Sequence, residues 1–173
     1  MEKGTVYFFT GLSGAGKTTI GGLFYRRLKS KKPNVFLYDG DQMRPILFEG
    51  VGYTMEERRR ACLRGFGLCK AIADQGIDVV VCAIAMHTEA RTWNRANMEK
   101  YKEIYLKVRK ETLFQRDQKG MYTSGAKNLI GVDLPFDEPQ DPDFVIENDG
   151  GETPEEIVDK LWAALELPSQ AKE

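Results

Sequence analysis

Gly11-Leu12-Ser13-Gly14-Ala15-Gly16-Lys17-Thr18 is the stretch on which the reading of the fold turns. It satisfies the pattern G-x-x-x-x-G-K-[ST] and follows Thr5-Val-Tyr-Phe-Phe-Thr10, an apolar, β-branched and aromatic run that reads as a buried strand. After it, residues 17–30 carry Ile20, Leu23, Phe24 and Leu28 on one helical face. Strand, glycine-rich turn and helix in this order are the context that makes the match a phosphate-binding P-loop (Walker A). Gly11, Gly14 and Gly16 admit backbone conformations that a Cβ would block, so amides can point at phosphate oxygens. The following helix adds free N–H groups and the positive end of its dipole. Lys17 can reach the β- and γ-phosphates, and the Thr18 hydroxyl can ligate Mg²⁺. ATP and Mg²⁺ are therefore the expected cofactors. Gly11, Ser13, Gly14, Ala15, Gly16, Lys17, Thr18 and Thr19 form the donor site, with Lys17 catalytic and Thr18 the metal ligand.

Outward from the loop, strands and helices alternate. Pro33-Asn34 breaks the first helix, and Val35-Phe-Leu-Tyr38 reads as a second strand ending at Asp39-Gly40-Asp41. Thr54 and Glu57 have capping-box spacing and open a helix to about residue 75, stopped by Gly76. Residues 77–84 are nearly continuous in apolar side chains, as suits a strand covered on both faces. A helix over 88–100 and strands over 103–108 and 144–147 follow. Thr153-Pro154-Glu155-Glu156 starts a last helix reaching to about residue 167. Segment 117–143 is rich in glycine, proline and mixed charge and has little periodicity, which marks a mobile lid. The pattern predicts an α/β fold, a parallel sheet with helices on both faces, in one P-loop domain over 1–173.

Composition narrows the function classes. With 173 residues, 42% hydrophobic, 29% charged and a net charge of −1, nothing draws the whole chain to nucleic acid or an anionic membrane. No apolar run approaches the length of a membrane span, and Met1-Glu2-Lys3-Gly4 lacks the parts of a signal peptide. Cys62, Cys69 and Cys82 show no metal-ligand spacing and read as buried free thiols of a cytoplasmic protein. The lone His87 reads as a polar helix-entry residue, and Trp93 and Trp162 as packing residues. The P-loop alone fixes a donor and leaves the acceptor open, since GTPases and motor ATPases share it. No guanine-reading Asn-Lys-x-Asp tetrad is evident.

Three blocks resemble the adenylylsulfate (APS) kinase family of small P-loop kinases, and the likeness covers nearly the whole chain. They are the loop Gly-Leu-Ser-Gly-Ala-Gly-Lys-Thr-Thr, then Asp39-Gly-Asp-Gln-Met-Arg44, then Arg116-Asp-Gln-Lys-Gly-Met-Tyr122 with Gly131-Val-Asp-Leu-Pro-Phe-Asp-Glu-Pro139. The resemblance implies transfer of the ATP γ-phosphate to the 3′-hydroxyl of adenosine 5′-phosphosulfate. It implies Asp39, Asp41, Arg44, Tyr53, Arg58, Arg64, Lys119 and Leu129 on the acceptor side. Asp41 is the expected hydroxyl-facing carboxylate, Lys119 neutralises charge during transfer, and Arg116 sits on the ATP side. A small-molecule nucleotide is the partner implied, with a homodimer as in other family members.

The departures fall on the acceptor side. Where the family has Glu-Asn-Ile-Arg-Arg, this chain has Arg60-Ala61-Cys62-Leu63-Arg64, so a polar Asn is Ala61 and an arginine is Leu63. The lid phenylalanine that would stack on the acceptor base is Leu129, and the family's Phe-Ile-Ser-Pro is Ala83-Ile84-Ala85-Met86. Two acceptors stay open: adenylylsulfate first, or another nucleotide such as cytidine diphosphoramidate. A nucleotide-binding module without turnover is the reading of a different class.

Overall fold

The structure, a computed structural model, describes residues 2–85, 87–117, 120–125 and 129–167. Val6–Thr10 forms β1, every residue of which is buried, and the P-loop leads from it into α1 (Lys17–Lys31). Then come β2 (Val35–Asp39), α2 (Gly40–Leu47), α3 (Met55–Ala73), β3 (Asp78–Cys82), α4 (Thr88–Asn97), β4 (Tyr101–Lys107), α5 (Lys110–Arg116), β5 (Phe144–Glu147) and α6 (Pro154–Ala164). The strands make one sheet in the order β2-β3-β1-β4-β5, and every pairing is parallel.

Side chains alternate across β1, and the core divides accordingly. Tyr7 and Phe9 face α1 and α6 with Val80, Cys82, Ile104 and Leu106, while Val6 and Phe8 face α3 and α4 with Val79, Val81, Phe66 and Cys69. Phe24 of α1 is the hub of the first layer, with ring centroids 5.0, 5.4 and 5.6 Å from Tyr7, Phe9 and Trp162. Trp162 is thus a packing residue, and Trp93 packs on the second layer. After β1 the chain builds β2 and β3 on one side of it and β4 and β5 on the other. The crevice at the carboxyl ends of β1 and β3 is therefore the switch point at which such sheets bind ligands.

Two helices were not legible in the sequence. Asp39-Gly40-Asp41 reads only as the end of the second strand, yet Gly40–Leu47 is helical, with Pro45 inside it. The buried Asp39 carboxylate accepts from the Asp41 and Gln42 amides and caps that helix. Residues 110–116 carry too few apolar positions to show a period, and form α5 in the structure. Elsewhere the boundaries shift. Helices expected to end at 75, 100 and 167 stop at Ala73, Asn97 and Ala164, and the third strand covers Asp78–Cys82 rather than 77–84. Both capping boxes form, at Thr54 with Glu57 and at Thr153 with Glu156. Within the segment read as a lid, residues 129–134 fold into a tight turn. The Leu129 carbonyl accepts from Val132, Asp133 and Leu134, around a left-handed Gly131 (φ +86°).

Candidate active site

Register brings the site together. Phe9 pairs with Cys82 and Cys82 with Asp39, so three neighbouring strands end at one level. Above them opens a cavity of about 1330 Å³, more than a single drug-sized ligand fills and roomy enough for a donor and an acceptor. Ser13, Gly14, Gly16, Lys17, Thr18 and Thr19 line its donor end. Gly11 and Ala15 are buried in the backbone of the loop. The Ser13, Ala15 and Leu12 carbonyls are occupied by Tyr122 Oη (2.8 Å), Asn148 Nδ2 (3.0 Å) and Lys17 Nζ (2.8 Å). Gly14 and Gly16 adopt φ of +80° and +97°, and a Cβ on Gly16 would stand 2.8 Å from Asn148 Nδ2. Asn148 is a residue that sequence reasoning passed over as a brace of the loop.

Thr18 Oγ1 donates to Asp39 Oδ2 at 2.7 Å, while the other Asp39 oxygen caps α2. Asp39, 4% exposed, is therefore tied to the donor end and to the start of the helix that carries Asp41 and Arg44. Among the described residues no cluster of three or more His, Cys, Asp or Glu side chains could cage a metal. Mg²⁺ needs no such cage, because it keeps waters and phosphate oxygens and takes one or two protein oxygens. The hydroxyl–carboxylate pair Thr18–Asp39 fits it.

Asp41, Arg44, Tyr53, Arg58 and Leu129 line the other end of the same cavity. The Arg44 and Arg58 guanidiniums lie over the Tyr53 ring, 4.1 and 5.0 Å from its centroid. Arg44 also donates to the Gly52 carbonyl and Arg58 Nε to the Tyr53 carbonyl at 2.9 Å. Burial, then the neighbouring Arg44 charge, pulls the Arg58 pKa below its ordinary value. Tyr53, expected on the acceptor side, is 59% exposed, and its ring carries the two guanidiniums. Leu129 is 9% exposed and turned inward. Ala61 and Cys62 share the cavity with Arg58, three and four residues away on one face of α3.

Arg64 stands apart. Six residues beyond Arg58, it is about 120° round the helix and flanks a side cavity of about 190 Å³ with Arg60 and Glu57. Leu63 packs into the second core layer. Arg116 ends α5 outside the cavity lining, near Gly150. Lys119 lies outside the described residues. His87 takes the N-cap position of α4, away from the cavity lining, and its Nε2 is buried with no hydrogen-bond partner among the described residues. Ala85, at the cavity rim, is held at φ +43°, its carbonyl accepting from the buried Arg91 at 2.9 Å. Burial pushes the Cys62 and Cys82 thiols up to about 12, away from the thiolate form.

A P-loop at the switch point of a parallel sheet, a hydroxyl–carboxylate pair beside it, and an aspartate and arginines across one cavity define a small P-loop kinase. The family model for adenylylsulphate kinase matches residues 3–147, and the chain belongs to that family. It is similar to the cytidine diphosphoramidate kinase of Campylobacter jejuni, with 39% identity over 166 residues, covering 94% of this chain and 96% of that protein. It is 34% identical to the adenylyl-sulfate kinase of Halothermothrix orenii over 169 residues, covering 95% and 91%. Among solved structures it matches the Mycobacterium tuberculosis APS kinase CysC in complex with AMPPNP and APS. That match has a TM-score of 0.86 and 27% identity over 96% of this chain and 99% of that one.

Proposed function

We propose that this kinase transfers the ATP γ-phosphoryl group to the 3′-hydroxyl of a nucleotide acceptor, with cytidine diphosphoramidate favoured over adenylylsulfate. The observation that carries this acceptor is Leu129. A buried aliphatic side chain closes the acceptor end of the cavity where the family places a phenylalanine, so purine stacking is lost while apolar contact remains. Ala61 and Leu63, which replace a polar and a cationic residue of the family pattern, point the same way. So does the 39% identity to the cytidine diphosphoramidate kinase.

In the transfer, the acceptor oxygen bonds to the γ-phosphorus in line as the bond to the β,γ-bridging oxygen breaks, and ADP leaves. Asp41, in the first turn of α2, orients the attacking hydroxyl and takes its proton. Lys17 leaves the Leu12 carbonyl for the β- and γ-phosphates, and Arg44 and Arg58 grip the acceptor's anionic 5′ group. Thr18, with Asp39 behind it, would hold Mg²⁺, which when bound would supply charge neutralisation at the phosphates.

Adenylylsulfate is the second reading, favoured by the Arg44–Tyr53–Arg58 cluster that the chain retains. Incubation with ATP, Mg²⁺ and each acceptor separately, following ADP and product mass, tests both. Phosphorylation of the cytidine compound well above background ATP hydrolysis is expected, and turnover of adenylylsulfate alone would reverse the order. Asp41→Asn should lower turnover by about 10²- to 10⁴-fold and leave ATP affinity unchanged. Turnover with neither acceptor, in a protein that still binds ATP, would move the chain towards a binding module.

A further inference from the structure

Two side chains from outside the P-loop set the direction of its peptide planes. Tyr122 donates from its hydroxyl to the Ser13 carbonyl at 2.8 Å, and Asn148 donates from Nδ2 to the Ala15 carbonyl at 3.0 Å. A trans peptide is planar, with its C=O and N–H pointing in opposite directions. The Ser13 carbonyl shares a plane with the Gly14 N–H, and the Ala15 carbonyl with the Gly16 N–H. Holding the two carbonyls on the outside therefore turns these two N–H groups towards the inside of the loop. Neither N–H makes a hydrogen bond among the described residues. The plane between Leu12 and Ser13 is fixed from within, since the Leu12 carbonyl accepts from the Ala15 amide (3.1 Å) and from Lys17 Nζ.

We infer that Tyr122 and Asn148 are positioning residues for the donor, aiming the Gly14 and Gly16 amides at the phosphates of ATP. Each is itself anchored. Tyr122 donates its backbone N–H to Asp117 Oδ1 at 2.9 Å, and its ring packs on Phe114 with centroids 4.9 Å apart. Asn148 continues β5, its amide bonded to the Lys107 carbonyl at 2.9 Å, so its side chain is referenced to the sheet. Gly14 and Gly16 hold positive φ, which glycine adopts without steric cost, so the two braces select one of several accessible loop conformations. Burial, with the Asp117 charge adding to it, raises the Tyr122 pKa and keeps its hydroxyl a donor.

The inference rests on the assignment of the P-loop to ATP, and binding measured without any acceptor separates it from the choice of acceptor. Titration calorimetry of ATP and of inorganic triphosphate, both with Mg²⁺, is run on the wild type, Tyr122→Phe and Asn148→Ala. Loss of one hydrogen bond that aims an amide should weaken both ligands about three- to tenfold, by the same factor for each. The KM for ATP should rise with the KM of the acceptor unchanged. Tyr122→Phe keeps the ring on Phe114 and so carries the test even if Asn148→Ala unfolds. Unchanged affinity, or weaker ATP with unchanged triphosphate, overturns the inference and leaves the proposed acceptor standing. A wild type that bound neither ligand would remove the ATP assignment and this inference together.

Discussion

Leu129 is the side chain on which the proposed acceptor turns. Its backbone is fixed by the 129–134 turn and its side chain by burial, so the position presents a defined surface to the cavity. Restoring an aromatic there should favour the larger base. In Leu129→Phe, the ratio of kcat/KM for adenylylsulfate to that for cytidine diphosphoramidate is expected to rise about three- to tenfold. Steady-state kinetics with both acceptors measures it, and an unchanged ratio would mean that residue 129 does not face the base. Residue identities were informative where chemistry allows few choices: Lys17, Thr18 and Asp41 all reach the one cavity. They were less so where direction matters. Nothing in Tyr53 alone tells that Arg44 and Arg58 lie over its ring, and the run Arg58 to Arg64 does not say which arginine turns inward until the helix phase is set.

At the scale of elements, the seating of α1 on the sheet decides where the P-loop points. Gly21 is buried against β1 and β3, and a Cβ there would collide with Cys82 Sγ and come to 3.4 Å from the Phe9 ring. Gly21→Ala is therefore expected to cost about 1–3 kcal/mol through overpacking, despite alanine's better helix propensity. Urea denaturation reads this directly, and a stabilised variant would show that α1 can move outward freely. Strands and helices were legible wherever period, cap and breaker agreed, as at Thr54 and Thr153. Gly40–Leu47 escaped because its cap, Asp39, has the sequence signature of a turn, and because Pro45 falls in a helix short enough to tolerate a missing N–H.

For the whole molecule, carboxylates govern the response to acid. The Thr54 side-chain hydroxyl holds Glu57, and first the Thr153 amide holds Glu156, below the usual glutamate value of 4.5. First the Thr123 hydroxyl holds Asp117, and first Thr112 holds Asp149, below the aspartate value of 3.8. A depressed folded pKa contributes stability above the unfolded value and loses it as pH falls through the folded one. The urea midpoint should accordingly drop as pH falls below about 4.5. Glu103 has the opposite sign. Burial raises its pKa, against the opposing charge of Arg95, the Tyr101 hydroxyl and Arg91, so its contribution is present below 4.5 and fades as pH rises through the raised value. The difference in unfolding free energy between wild type and Glu103→Gln should shrink as pH rises above 4.5. A difference that grew would contradict the assigned burial of Glu103.

The native cysteines have a practical consequence. Cys69 and Cys82 are buried as expected, whereas Cys62 is only partly buried at the cavity; burial pushes all three thiols up to about 12. Val132, by contrast, stands half exposed on the 129–134 turn. A fluorophore or spin label attached through Val132→Cys would report on that turn alone once Cys62, the partly exposed native thiol, is replaced by alanine.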